Sequence, residues 1–375
     1  MSSKTFLILG GYGNTGRPLA KLLLQETDAQ LILAGRSLEK AESAATEFNS
    51  MVSDERVSGI AVDASDPLSL KQGFRGVDLV VVASSTVRYA RQVAAAALEA
   101  GSDYLDVQFS TQKVAMLKAM AGEIEKTGCC FITDGGFHPG LPAALVRYVA
   151  PYFDILEKAN VGSVIKVDWA GLDLPDATVN ELLEEINDFE ALLFKDGAWK
   201  KARMSGMADY LRMDFGGAFG GQACMPMFLE EMRSIPEYYP TLKETGFFVG
   251  GFNWFVDWLV MPLGMVILRL WPQGALKPLG KLMMWGLNKF SRPPYGTLLK
   301  VEAEGIKDGQ AKAIDVVLSH PDGYLFTAIP VAACLLQYLD GSIRKPGLWT
   351  QANLVEPNRL MIDMQRMGIA LQMHE

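Results

Sequence analysis

Along the first 135 residues, short apolar runs alternate with longer stretches whose apolar positions recur every three or four residues. "TFLIL" opens the series, and "AQLILAG", "VSGIAVD" (57–63), "VDLVVVASS" (77–85), "DYLDV" (103–107) and "CCFITD" (129–134) follow. Each run has the length of a strand. The fourth is nearly all β-branched or small, as expected of a strand covered on both faces. Helical spacing fills the gaps, near 87–100 and 110–127 among others. Strands alternating with helices predict a parallel, doubly wound α/β sheet over residues 1–150.

The pattern then changes. "ANVGSVIKVDWAG" (159–171) alternates in places and starts a second domain, expected over 151–325. "ATVNELLEEINDFEALLFKDGAWKKAR" predicts a helix and then a turn at "KDGAW". "LLKVEAEGIKDGQAKAIDVVLSH" reads as a hairpin, with strands near 297–305 and 311–319 joined around Asp308-Gly309.

The break after the first strand carries chemistry. In "GGYGNTG", Gly11, Gly13 and Gly16 fit G-x-G-x-x-G, and Gly10, Gly13 and Gly16 fit the variant G-x-x-G-x-x-G. Glycines at these places permit a tight turn, close approach of backbone to a pyrophosphate and close helix-on-strand packing. The loop, with Asn14 and Thr15, opens a helix whose free N–H groups suit phosphate. Strand, loop and helix together predict a dinucleotide-binding Rossmann domain. About 20 residues on, such folds read the ribose. An acid there would select NAD, but this chain has Gly35, Arg36 and Ser37, with Lys40 a turn later. A guanidinium and a hydroxyl suit a 2′-phosphate, so NADP(H) is expected over NAD. The other reading of Arg36 and Lys40 is solvated charge at a helix start. Asp63, ending the third strand, is a candidate neighbour of the adenine. Ser84 and Ser85, ending the fourth, would lie beside the dinucleotide, because ligands bind outside the carboxyl ends of such strands.

"DGGFHPG" ends the sixth strand on that same edge. His138 is a candidate general acid, since an ordinary histidine titrates near neutrality; the alternative is a hydrogen bond to the loop or the next helix. Tyr104 and Asp106, two apart on the fifth strand, face one side, either as a proton-donor pair or as a structural hydrogen bond. Asp134 is read as capping or orienting the loop.

"LILGGYGNTGRPLAKLL", "LAGRSLEKAE", "DYLDV" and "GGFHPGLP" together resemble the saccharopine dehydrogenase-like oxidoreductases, with saccharopine reductases and carboxynorspermidine-type enzymes as relatives. The resemblance covers the first 150 residues and returns in "GYLFTAIPVAACLLQYLDGSIRKPGLWTQANLVEP". It implies NAD(P)-dependent hydride transfer, a second α+β domain, and a C-terminal segment (326–375) whose helices pack back on the Rossmann domain. It also implies a homodimer, through a mostly antiparallel second sheet. In amino-acid-forming members the loop after the sixth strand reads D-P-G. Here His138 replaces that acid, which points away from an amino-acid substrate if the acid holds a substrate amine.

Composition narrows the partners. A net charge of −8 over 375 residues argues against nucleic acid, which needs clustered Lys and Arg. Four cysteines, Cys129, Cys130, Cys224 and Cys334, are expected as buried reduced thiols, and three scattered histidines show no metal-ligand spacing. No basic stretch precedes an apolar one at the start, so a cytoplasmic protein is expected. Residues 246–290 hold four of the seven tryptophans, and their most apolar run (258–268) is 11 residues. A spanning helix needs about 20 apolar residues. The segment is therefore read as domain core, as an interfacial segment giving peripheral membrane contact, or as the wall of a pocket for a lipid-like substrate. A Tyr-x-x-x-Lys spacing at Tyr239 and Lys243 encloses Pro240 and reads as chance.

The expected function is NADP(H)-dependent reduction of a C=O, C=N or activated C=C bond. The alternative is a non-catalytic NADP(H) sensor or membrane-associated scaffold.

Overall fold

The computed structural model describes residues 4–169, 190–203 and 207–375, and divides the chain into two compact units. The first joins residues 1–141 to 324–368; the second joins 142–323 to 369–375.

In the first unit, β1 (Thr5–Leu9), α1 (Gly16–Glu26), β2 (Gln30–Gly35), α2 (Leu38–Asn49), β3 (Val57–Ala61), α3 (Pro67–Gly73), β4 (Leu79–Val82), α4 (Ala90–Ala100), β5 (Asp103–Asp106), α5 (Thr111–Thr127) and β6 (Cys130–Thr133) follow the predicted alternation. The sheet is parallel, in the order Gly347–Thr350, β6, β5, β4, β1, β2, β3. The order reverses beside β1, so a crevice forms at the carboxyl ends of β1 and β4. Leu79–Val82 is buried on both faces, which accounts for its unbroken run of Leu and Val. Leu7, Leu9, Val80, Val82, Phe74, Tyr104 and Phe131 share one apolar core. The helices end where chemistry says they should. Ser110 caps α5 by accepting from the Lys113 N–H at 3.1 Å, and Gly128 ends it in the left-handed region at φ +74°.

Among the described residues, the second unit forms a nine-stranded mixed sheet. Its central strand, Ile155–Lys166, begins earlier than predicted and pairs parallel with Glu244–Gly250 and antiparallel with Gly296–Lys307. The predicted hairpin is present as Gly296–Lys307 and Gln310–His320. Its turn residues Asp308 (φ 51°) and Gly309 (φ 74°) both have the positive φ that a two-residue turn of matching twist demands. "KDGAW" turns between Leu192–Lys195 and Ala198–Lys201. The helix expected before it, and the end of the 159–171 segment, fall on residues 170–189, outside the described ones.

One expectation is corrected. Helix Gly323–Leu339 and strand Gly347–Thr350 do belong with the first unit, but the last strand, Ala370–His374, pairs with Gln310–His320 of the second sheet. Alternating polar and apolar residues in "ALQMH" suit an edge strand with one exposed face. Residues 246–290 finish a buried strand and then form helices. Among the described residues, no helix is long and apolar enough to cross a membrane.

Candidate functional site

The glycine loop turns sharply at the end of β1. Gly10 adopts φ +90°, and its N–H donates to Ala34 O at 2.7 Å. A Cβ there would sit 2.6 Å from Ala83 O, and one on Gly16 would sit 2.1 Å from Gly10 O. No side chain fits at either place. Helix α1 therefore starts hard against the turn, and it starts uncapped: Thr15 makes no side-chain hydrogen bond to it, and its first turn holds no acid. Its positive dipole end, with no acid beside it, suits an anion. Asn14 Nδ2 donates to the Tyr324 hydroxyl at 3.1 Å.

At the end of β2, Arg36 is exposed. Ser37 is used structurally. Its Oγ accepts from the Lys40 N–H (3.3 Å) to cap α2, while its own N–H donates to the Tyr12 hydroxyl (3.1 Å). Asp63 Oδ1 accepts from the Ser65 N–H and hydroxyl, at 2.8 and 2.7 Å. Those two bonds, with a smaller contribution from nearby Arg36, hold its carboxyl below the usual range. The Arg36 guanidinium thus has a carboxylate close by and an open outer face.

Past β4, Ser84 Oγ lies 3.1 Å from Thr86 Oγ1, and Ser85 is exposed. Gln108 reaches the same corner from beyond β5, its Nε2 donating to Ser84 O and to Thr86 Oγ1. The Gln108 Oε1 is buried with no hydrogen-bond partner among the described residues. A buried acceptor left open beside the crevice is a feature that asks for a ligand donor.

The fifth and sixth strands place Tyr104 and Asp106 inside the fold. Asp106 is fully buried and saturated: it pairs with Lys113 Nζ, and its Oδ2 accepts from Thr133 Oγ1 at 2.8 Å. Lys113 is also buried, pairs with Asp134 Oδ1 at 3.0 Å, and donates to Gln108 O. Burial presses the Lys113 ammonium toward neutrality, but the two carboxylates outweigh it and raise its pKa. Tyr104 is fully buried and stacks on Phe131, ring centroids 4.9 Å apart. Burial first, and the Asp106 and Asp134 charges next, hold its hydroxyl pKa well above 10. Both side chains are therefore structural: one a core ring, the other the hub of a buried ion network.

That network seats the "DGGFHPG" loop. Asp134 takes a left-handed φ of 57°, the Gly135 N–H donates to Asp106 O at 2.7 Å, and a cis peptide joins His138 to Pro139. Gln351, fully buried, spans the loop: its Nε2 donates to Gly136 O (3.0 Å) and Gly140 O (3.1 Å), and its Oε1 accepts the Gly136 N–H (3.3 Å). The His138 ring stacks on Phe137 at 4.1 Å, which stacks on Phe326 at 4.9 Å. Burial drives the His138 pKa down to about 3. A neutral imidazole can donate a hydrogen bond but has no readily transferred proton near pH 7.

The second unit holds a separate cavity of about 320 Å³, lined by Lys166, Arg212, Asn253, Trp254, Asp257 and Trp258 among others. A π-helical turn, Val256–Val260, carries Asp257 there. Burial raises its carboxyl to about 7, against the opposing Lys166 charge and backbone N–H groups of Phe252 and Gly251. Tyr239 ends a short helix, and Lys243 pairs with Glu157 at 2.5 Å, so that Tyr/Lys spacing makes no reductase helix. The four cysteines are free and buried. Among the described residues, no three His, Cys, Asp or Glu side chains gather as a metal site.

Comparison with known proteins gives this geometry a domain type and a fold. Residues 6–128 match the model of the saccharopine dehydrogenase NADP binding domain. The fold of the whole chain matches the L-Glu-forming saccharopine dehydrogenase of Saccharomyces cerevisiae, at a TM-score of 0.67 and 14% identity, over 100% of both chains. More distant is the DAP dehydrogenase of C. glutamicum (12% identity, 98% of this chain and 100% of that one, TM-score 0.46). A biliverdin reductase of Synechocystis gives 13% identity, 97% and 96% coverage, and a TM-score of 0.41. No curated protein matches the chain in sequence. The first unit is thus an NADP-binding Rossmann domain of the saccharopine dehydrogenase type, and the whole chain shares the fold of that dehydrogenase.

Proposed function

We propose that this protein is an NADP(H)-dependent oxidoreductase that reduces a C=O, C=N or activated C=C bond of a lipid-like small molecule. One observation carries the reading: α1 begins uncapped and free of acid, against a glycine turn, within a domain of NADP-binding type. Gly10, Gly11, Gly13, Asn14, Thr15 and Gly16 would hold the pyrophosphate; Arg36 and Lys40 would hold the 2′-phosphate, while Asp63, Ser84 and Ser85 flank the nucleoside parts. The open Gln108 Oε1 would accept from the carboxamide end. When bound, NADPH supplies the hydride. The protein's own part is positioning. The ion network of Asp106, Lys113 and Asp134 fixes the loop that carries His138. The exposed apolar side chains of the second unit, Trp254, Trp258, Leu259 and Leu263, support an apolar substrate.

A second reading, a non-catalytic NADP(H) sensor, draws support from the structural use of Tyr104 and Asp106, which leaves His138 alone among the expected catalytic groups.

Titration with NADPH and NADH, followed by nicotinamide fluorescence, tests the first step. NADPH should bind more tightly, and Arg36→Ala should reduce the preference about tenfold or more, the scale of a charge-assisted contact. Absence of binding to either nucleotide would overturn both readings. With binding established, NADPH oxidation in the presence of apolar ketones, imines and enones separates enzyme from sensor.

A further inference from the structure

We infer that the helical hairpin of the second unit, Val256–Phe290, docks on the surface of an anionic phospholipid bilayer. The first helix is built inside out. Leu259, Leu263, Val266 and Leu270 fall at spacings of four, three and four, so they share one face, and all four are exposed. A soluble helix would turn such a stripe inward. Exposed tryptophans border it: Trp254 (61% exposed) and Trp258 precede the stripe, and Trp271 (64% exposed) sits at the hairpin turn beside Leu270 (81% exposed). Tryptophan is the side chain that favours the headgroup level.

The second helix, Pro272–Phe290, supplies the charge. Ala275, Leu279, Met283 and Leu287 are its buried stripe, and Ala275 and Leu279 pack with Ile267 of the first helix. Lys277, Lys281, Trp285 and Lys289 lie on its exposed side, with Arg292 just beyond. From Trp258 to Val301 the sequence contains six Lys or Arg and no Asp or Glu, in a chain whose net charge is −8. An apolar stripe edged by tryptophan and flanked by a purely basic row matches an amphipathic interfacial element. The first helix proper, Met261–Leu270, has ten residues, about 15 Å at 1.5 Å per residue, so it lies on a bilayer rather than through it.

Charge also decides against a second copy of this chain as the occupant. A twofold interface would bring basic row against basic row with no acid between Trp258 and Val301 to answer it. The surface of an anionic bilayer complements both features at once.

The test is flotation of the full chain with phosphatidylcholine vesicles, with and without about one third phosphatidylglycerol. Binding is expected on the anionic vesicles, weaker at high salt. Lys277→Glu with Lys281→Glu should lower it at least about tenfold, given roughly an order of magnitude for each pair of charges at a lipid surface. Leu263→Ser with Leu270→Ser should lower it on all vesicles. These side chains are exposed, and circular dichroism with unchanged NADPH binding would confirm that the variants fold. Failure to float with either vesicle, or flotation indifferent to both double variants, overturns the proposal. So does concentration-dependent dimerisation in sedimentation velocity that Leu263→Ser abolishes, which would assign this face to a second copy.

Discussion

Gln351 grips Gly136 through both halves of its amide: Nε2 donates to the Gly136 carbonyl at 3.0 Å while Oε1 accepts the Gly136 N–H at 3.3 Å, across 215 residues of sequence. The same Nε2 reaches Gly140 O, so one side chain mimics a strand edge for the whole loop. Gln351→Ala should remove these buried hydrogen bonds and destabilise the first unit by about 2–4 kcal/mol. Gln351→Glu should cost nearly as much, because a carboxylate cannot donate to two carbonyls. Urea unfolding of the three proteins would check this. A loss below about half a kcal/mol for both variants would mean the loop is held by other contacts.

Lys113 is the cation between Asp106 and Asp134, all three buried. Lys113→Met should cost about 3–5 kcal/mol, since it strands two carboxylates in a medium that penalises charge. The triple change of Lys113→Met with Asp106→Asn and Asp134→Asn should recover much of the loss. Recovery distinguishes an uncompensated charge from a simple packing defect, which the added substitutions would only worsen.

The strand-helix alternation, the glycine loop and the edge that joins it to "DGGFHPG" are all legible in the sequence, because period and turn chemistry are local properties. The residues that hold the site are not. Gln351 lies 215 positions from its partner, and nothing in a polar residue of a C-terminal segment points there. Tyr324 meets Asn14 across 310 positions. Lys113 does leave a signal: with Leu117, Met120 and Ile124 it falls on the apolar stripe of α5, an odd place for a lysine unless a buried acid awaits it. Period places Tyr104 and Asp106 on one face, but face alone does not say whether a group meets solvent or core. For His138, period and motif give the position, while its low pKa is a product of burial that only tertiary packing creates.

The burial of His138 gives acid sensitivity. Its folded pKa of about 3 lies below the usual 6.5, so between those values the unfolded chain binds a proton that the native chain does not. Stability from this group is complete above about pH 6.5 and falls as pH drops toward 3. His138→Phe should flatten that part of the profile, measured as urea midpoints from pH 4 to pH 8. In turnover assays, no inflection near pH 6.5 should be traceable to this histidine. An inflection that His138→Phe removes would restore it as a proton donor.

Asp257 bends the profile the other way. Its carboxyl, carried by the π-helical turn into the second cavity, is raised from the usual 3.8 to about 7. The groups facing it are Lys166, which opposes the rise, and Tyr210 and Cys224, whose own pKa values burial and Asp257 both push up; Arg212 lines the same cavity. Between about pH 4 and pH 7 the native chain keeps a proton that the unfolded chain has released, so stability declines as pH rises through that window. Above it, the native state carries a poorly solvated charge. Asp257→Asn keeps the shape and removes the charge, so the variant should gain on wild type as pH goes from 5 to 8, read as the difference in urea midpoints at the two values. Parallel profiles for the two proteins would mean that the carboxyl is solvated and titrates as in the unfolded chain. A gain that disappears when a fatty acid or alkyl phosphate is present would show that the cavity binds such a molecule in place of water.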